Sequence, residues 1–289
     1  MLQRLREIRG MQLANIPIGK PFKRGVTRKK RDRQIIISLT SHPPRIHSVH
    51  LTVNTLLQQD MKPDRVILWL AREQFPDPSM LPKELLDLQR FGFEIQWYHD
   101  IRSYKKLVPA LMEFPDAIVV TADDDVYYSR SMLRILFEEH LAHPDEIICH
   151  EITRPCLGAD LRLHADPGNG NYCGTSSYFN KVLGSHGVLY TADLLSGDVR
   201  DEACFMKEAL TNDDIYFWAM AVRKGTRIRQ AKDAIRTLWM TDPENQRRTS
   251  LSEYNETNDL YETVSNRMLE LYPEILERLL EETHEVDVG

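Results

Sequence analysis

From residue 34 to residue 149 the sequence alternates between short apolar runs and stretches of helical period, and this alternation constrains the fold more than any other feature. Ile35-Ile36-Ile37-Ser38-Leu39 is an apolar run of strand length, closed by Thr40-Ser41. Pro43-Pro44 is expected to open a helix with Ile46, Val49, Val53, Leu56 and Leu57 on one face, and Lys62-Pro63-Asp64 to stop it. Residues 66–70 read as a second strand, the alternating Phe93, Ile95 and Trp97 as a third, 117–121 as a fourth and 147–149 as a fifth. Helical segments near 83–90, 103–113 and 132–141 lie between them. Uninterrupted apolar strands linked by helices form a mostly parallel sheet covered on both faces, so the fold class is α/β. In such sheets ligands sit beyond the carboxyl ends of the strands, which directs attention to 40–45, 71–73, 98–102 and 122–128.

The regularity stops near residue 155. Residues 156–180 are rich in Gly, Asn, Ser and Asp and read as a long loop, of which 158–180 is a candidate lid. A helix is expected from Asp213 to Lys224, stopped by Gly225. Leu260, Val264, Met268, Leu271, Ile275 and Leu279 mark a C-terminal amphipathic helix. The longest apolar run, Val66-Ile67-Leu68-Trp69-Leu70-Ala71, is far short of the ~20 residues that cross a bilayer. With no secretory apolar stretch at the N-terminus, the expected location is cytoplasmic. The four cysteines show no C-x-x-C spacing, which argues against structural zinc and a disulfide framework.

Three adjacent carboxylates, Asp123-Asp124-Asp125, follow the fourth strand directly. Like charges so placed repel unless a cation or hydrogen-bond donors compensate them. In an extended segment alternate side chains share a face, so Asp123 and Asp125 would stand together and suit a hard divalent cation, Mn²⁺ or Mg²⁺. The alternative is an acidic turn capping the next helix.

Strand–Asp-x-Asp after a Rossmann-like half resembles the signature of GT-A glycosyltransferases, and the first β-α unit, residues 34–59, is similar to that of the family 2-like members of bacterial surface-glycan type. The 100–111 segment, Asp-Ile-Arg-Ser-Tyr-Lys-Lys-Leu-Val-Pro-Ala-Leu, is similar to their base- and ribose-contacting segment, and Thr211-Asn212-Asp213-Asp214-Ile215 to their Glu-Asp motif. The resemblance spans roughly residues 34–240. It departs where Asn212-Asp213-Asp214 replaces the usual Glu-Asp, and no histidine clearly supplies a third metal ligand. It implies a metal-dependent transfer of a sugar from a nucleoside-diphosphate sugar, UDP by family expectation, to a hydroxyl of a glycan or lipid-linked glycan. Asp123 and Asp125 would hold the metal; Thr40, Arg45, Asp100, Arg102, Lys106, Asp124, His186 and Gly187 would line the donor site. Asp214 would be the general base of an inverting reaction, with Asp213 orienting acceptor or base. Each assignment has a plainer counterpart: N-capping for Thr40 and Asp214, a solvated helix face for Arg102 and Lys106, a tight turn for Gly187. Tyr216, Phe217 and Trp218 read as core. The division implied is a basic arm over 1–33, a GT-A domain over 34–245 with a nucleotide-binding half (34–130) and an acceptor half (131–245), and a helical extension over 246–289. A retaining enzyme, a sugar-phosphate nucleotidyltransferase and a Ca²⁺-binding module are the competing readings. The last lacks EF-hand spacing.

The charge distribution adds one expectation. The net charge is −6, yet residues 1–33 carry eleven Lys/Arg against two acids, or +9, which leaves −15 for the remainder. A basic arm on an acidic body suits anionic lipid headgroups, hence peripheral contact with the inner membrane face. Nucleic acid fits less well, because the acidic body repels phosphates.

Overall fold

The computed structural model describes residues 2–166 and 170–288. Its strands are β1 (Ile35–Thr40), β2 (Arg65–Ala71), β3 (Phe93–Tyr98), β4 (Ile118–Ala122), β5 (Ile147–Cys149), β6 (Ile152–Thr153), β7 (Cys156–Leu157), β8 (Leu163–His164), β9 (Ser176–Ser177), β10 (Lys181–Val182), β11 (Val188–Tyr190) and β12 (Ile228–Gln230). Its α-helices are α1 (Leu2–Leu13), α2 (Val49–Leu56), α3 (Lys83–Leu86), α4 (Val108–Glu113), α5 (Met132–Ala142), α6 (Glu202–Glu208), α7 (Asp213–Lys224), α8 (Pro243–Thr249), α9 (Leu251–Thr257), α10 (Leu260–Leu271) and α11 (Pro273–Val288). None of the described helices is long and apolar enough to cross a membrane.

The α/β class holds: eight strands form one mixed, mostly parallel sheet in the order β3-β2-β1-β4-β11-β5-β12-β9. β4, buried along its whole length, lies between parallel β1 and antiparallel β11. Side-chain alternation divides the core in two. Ile36, Ile67 and Val119 face a layer that includes Trp218, Met268 and Leu279, while Ile35, Ile37, Leu68 and Val120 face Val53, Leu133 and Leu136. Because β11 runs against β4 and β5, its entry turn meets the exits of β1, β4 and β5 at one edge of the sheet.

Several expectations need correction. Residues 43–48 form successive tight turns, with Arg45 N–H donating to His42 O and Ser48 N–H to Arg45 O, so α2 begins only at Val49. The C-terminal amphipathic helix divides into α10 and α11 at Pro273, whose ring removes a backbone donor and ends the ladder. The candidate lid is partly fastened: β7 pairs with β8, and Asn266 of α10 grips both Leu163 N–H and C=O, at 2.8 and 2.9 Å. The Pro167-Gly168-Asn169 part of that loop lies outside the described residues. The basic N-terminal stretch is docked rather than loose. Ile16 and Val26 are buried, Arg130 N–H donates to Asn15 O, and Gly25 N–H donates to Phe91 O.

Candidate active site

The exits of β1 and β4 open into a cleft of about 1070 Å³. Asp123, Asp124, Asp125, Asp213 and Asp214 all line it, together with Thr40, Arg45, Asp100, Arg102 and Lys106. Past Ala122 the chain leaves the extended form and bends at Asp124 and Asp125. That bend changes which acids stand together. Asp124 turns toward β1, where Ser41 Oγ (2.6 Å) and Arg45 Nη1 (2.9 Å) donate to it. Asp125 joins the same guanidinium, at 2.9 Å. Asp123 faces the other way, 3.2 Å from Lys106 Nζ. The expected pairing of Asp123 with Asp125 on one face therefore gives way to an Asp124–Arg45–Asp125 group beside a separate Asp123–Lys106 contact.

Lys106 closes the short 3₁₀ helix Arg102–Lys106 and points into the protein. Its ammonium also stands 2.9 Å from Asp213 and 3.4 Å from Asp214. Burial alone would favour the neutral amine, but the three carboxylates outweigh it and hold Lys106 protonated well above its ordinary range. Lys106, expected at donor phosphates, thus spends its charge on carboxylates. Asp213 and Asp214 begin α7, where the helix dipole favours anions. Asn212 rather than either acid is the N-cap residue, and it makes no side-chain cap. Asp214 accepts from Gly184 N–H at 2.8 Å and keeps 29% of its side chain open. Burial raises it to about 6, with Asp213 and Asp123 adding and Lys106 opposing.

The charges do not balance. Among the described residues, Asp123, Asp124, Asp125, Asp213 and Asp214 have only Arg45 and Lys106 as ion-pair partners. Burial pushes Asp125 up to about 7 although Arg45 opposes it, because that one guanidinium is shared and Asp123 and Asp124 add repulsion. A surplus of buried negative charge at a cleft mouth fits a hard divalent cation with oxygen ligands. Among the described residues no three His, Cys, Asp or Glu side chains form a ready ligand set. The protein's share would be Asp123, 31% of whose side chain is open, with Asp125 joining it by turning from Arg45.

The other donor-site expectations divide. Thr40 lines the cleft with its hydroxyl bonded to Trp69 O at 2.8 Å. Asp100 is caged by Lys105 Nζ (2.6 Å), Gln74 Nε2 (2.9 Å) and Arg102 N–H (3.0 Å). These donors outweigh burial and lower it, so it stays ionised. Arg102 has a left-handed backbone, φ 56°, and projects into solvent at the cleft rim. His186 and Gly187 lie behind the cleft. His186 neighbours Tyr127, Tyr128 and Met132, and Gly187, at φ 98°, packs on Met132, whose Sδ would stand 3.2 Å from an added Cβ. The glycine that backs the site is Gly184, where a Cβ would fall 2.4 Å from Asp214 Oδ1 and 2.8 Å from Lys106 Nζ. Sequence reading missed it and left the role of Tyr128 open; the Tyr128 hydroxyl accepts from Asp123 N–H and donates to Ser185 O, both at 2.8 Å. The Gly184-Ser185-His186-Gly187 turn was the available signal, but only the fold tells which glycine faces the acids. Tyr216, Phe217 and Trp218 are wholly buried core residues.

No protein-family model matches the chain. No curated protein matches it in sequence. Similar solved structures include glucosyl-3-phosphoglycerate synthase from Mycobacterium tuberculosis in complex with Mn²⁺, uridine diphosphate and glucosyl-3-phosphoglycerate. It is 13% identical at TM-score 0.31, over 41% of this chain and 43% of that one. The chain therefore spans less than half the length of that protein. Others are 4-diphosphocytidyl-2C-methyl-D-erythritol synthase (11% identical, TM-score 0.42, 75% of this chain and 96% of that one) and CMP:2-keto-3-deoxy-manno-octonic acid synthetase complexed with CTP (12%, 0.40, 69% and 88%).

Proposed function

We propose that the chain is a GT-A-type glycosyltransferase that moves a sugar from a nucleoside-diphosphate sugar, UDP being the expected nucleotide, to a hydroxyl of a glycan or lipid-linked glycan. The observation that carries this reading is the meeting of Asp214 with the Asp123–Asp125 tip across one buried lysine, although the two segments lie far apart in sequence. Thr40, Arg45, Asp100, Arg102 and Asp124 border the nucleotide. Asp123 and Asp125 are the residues that would hold a Mn²⁺ or Mg²⁺ ion, whose chemistry is to neutralise a departing diphosphate. Lys106 adds a fixed positive charge beside Asp123.

The acceptor hydroxyl rests against the open edge of Asp214. Its oxygen bonds to the anomeric carbon as the bond from that carbon to the diphosphate oxygen breaks. The electron pair leaves with the nucleoside diphosphate, and the hydroxyl proton passes to Asp214, giving an inverted product. Asp213 keeps Lys106 in place and so orients the base. In this reading residues 34–245 are the catalytic domain, with nucleotide-binding (34–130) and acceptor (131–245) halves, and 246–289 an extension packed upon it.

The test is a panel of nucleotide sugars and acceptors, with and without Mn²⁺, scored by released nucleoside diphosphate and product anomer. Inverted product that vanishes in Asp214→Asn supports the reading. Retained product would make Asp214 a donor-orienting group. Pyrophosphate release from a nucleoside triphosphate and a sugar 1-phosphate would replace it with nucleotidyl transfer.

We further propose that the basic stretch within 1–33 meets an anionic membrane. Lys20, Lys23, Arg24, Arg28, Lys29 and Lys30 are exposed, and Phe22 among them is 94% exposed.

A further inference from the structure

Away from the aspartate tip the cleft lining holds cations as well as acids, with Lys181, Arg154 and Arg236 beside Glu151, Glu256 and Glu262. β10 pairs with β6 in a two-stranded ribbon, with Lys181 opposite Thr153. Lys181, Arg154, Tyr172 and Tyr261 line the same cleft as Asp214. The Lys181 ammonium donates to Ser265 Oγ at 2.9 Å, and that hydroxyl in turn donates to Tyr261 O at 2.6 Å. On its other side the ammonium lies 6.0 Å from the Trp218 ring centroid. No ion pair ties Lys181 to any carboxylate among the described residues. The carboxylate that acts on it, Glu262, is engaged by His164 at 3.1 Å. Burial draws Lys181 down to about 8. Arg154 has its guanidinium 5.2 Å over the Tyr172 ring, 3.3 Å from Ser177 Oγ and 3.9 Å from Glu282.

A half-buried ammonium without a counterion is costly, and of its three donors the hydroxyl uses one. An anion on a cleft ligand would supply both missing items. Asp214 itself disfavours an adjoining anion, so such a ligand lies with its neutral, hydroxyl-bearing part toward Asp214 and its charged part toward Lys181. We propose that Lys181, with Arg154 beside it, is an acceptor subsite for an anionic group, a carboxylate or a phosphate on the sugar that receives the transfer. The proposal rests on the glycosyltransferase reading, and it names the acceptor class for that site.

The first test needs no turnover. Full-length protein with ¹³C-labelled lysine is titrated with glucuronate, glucose 6-phosphate and glucose at fixed pH, the Lys181 ε-carbon signal being assigned by its loss in Lys181→Met. The signal is expected to move with one or both anions, which separates carboxylate from phosphate, and to stay still with glucose. No movement with either anion, or equal movement with glucose, overturns the subsite even if the enzyme proves active. The second test applies once an acceptor is turned over. Lys181→Met is expected to raise the acceptor KM at least tenfold, with donor KM and acceptor-free donor hydrolysis unchanged, and Lys181→Arg to restore part of the loss. Equal losses toward donor and acceptor, or a preference for neutral acceptors, overturn it. Failure of every nucleotide sugar to react, with the lysine signal still responding to anions, would count against the glycosyltransferase reading and not against the subsite.

Discussion

A carboxylate that takes a proton from an acceptor hydroxyl must be ionised at the working pH and still basic enough to accept, and Asp214, raised to about 6, meets both conditions. Asp214→Asn is expected to lower transfer about 10²–10⁴-fold while the donor KM holds, as measured by steady-state release of nucleoside diphosphate. Because the active form is the ionised one, the wild-type rate rises with pH through about 6 and then levels. A rate that stays flat from pH 5 to 7 would remove Asp214 from the proton's path. Gly184 tests the geometry around it. In Gly184→Ala the new methyl would stand 2.4 Å from Asp214 Oδ1, so base or backbone must shift. A displacement near 1 Å lowers turnover about 10²-fold, and the crowding of the Asp214–Lys106 pair costs about 1–3 kcal/mol of stability. Lys106 carries a stability prediction. Lys106→Met leaves three carboxylates uncompensated, two of them near a third exposed, so the loss is about 2–3 kcal/mol at pH 7 once solvent screening is allowed for. That loss shrinks toward pH 5 as Asp214 takes up its proton, which urea unfolding at the two pH values would register.

At the scale of elements, the site depends on β4 and β11 arriving at the same edge, and Tyr128 is the strut between their loops. Tyr128→Phe strands the Asp123 N–H and the Ser185 carbonyl, a loss of about 1–3 kcal/mol, visible as a melting point lowered by a few degrees. Of the strands up to residue 149, β1, β2 and β4 were legible as apolar runs between clear stops, β3 by its alternation and β5 by its place in the repeat. β11 was legible only as a three-residue run, Val188–Tyr190, and nothing in three apolar residues says that it enters antiparallel between β4 and β5. That insertion brings Gly184 to Asp214 and turns Gly187 away, which is why the sequence pointed to the wrong glycine. The grouping of the acids failed for a related reason. Alternation assumes an extended strand, but Asp124 and Asp125 sit in a bend and Arg45 draws both to one side. The division at Pro273 was written in the sequence, yet the apolar spacing from Leu271 to Ile275 runs through it unbroken and conceals it.

For the whole molecule the governing quantity is the separation of charge, +9 in residues 1–33 against −15 in the rest. A loose basic tail would be tested by deleting it, but here Ile16 and Val26 are buried and Gly25 N–H is bonded to Phe91 O, so deletion would open the core. The same anchoring makes Phe22 informative. The segment on either side of it is fixed, with Gln58 donating to Gly19 O at 2.9 Å and Gly25 held as described, so Phe22 is presented to solvent by an ordered loop. A fully exposed phenylalanine among six exposed cations suits an interface where the ring enters the acyl boundary and the cations meet headgroups. Each cation near an anionic surface contributes about 1 kcal/mol, so replacing Lys23, Arg24 and Arg28 by Gln weakens binding about 10²-fold. Phe22→Ser removes a further 1.5–3 kcal/mol or so if the ring is buried in lipid. Sedimentation with phosphatidylglycerol-containing vesicles, at low and at physiological salt, measures both effects, and neither variant should alter soluble turnover. Binding that is equal on pure phosphatidylcholine vesicles, or that survives both sets of substitutions, would mean that the exposed charge serves something other than a membrane.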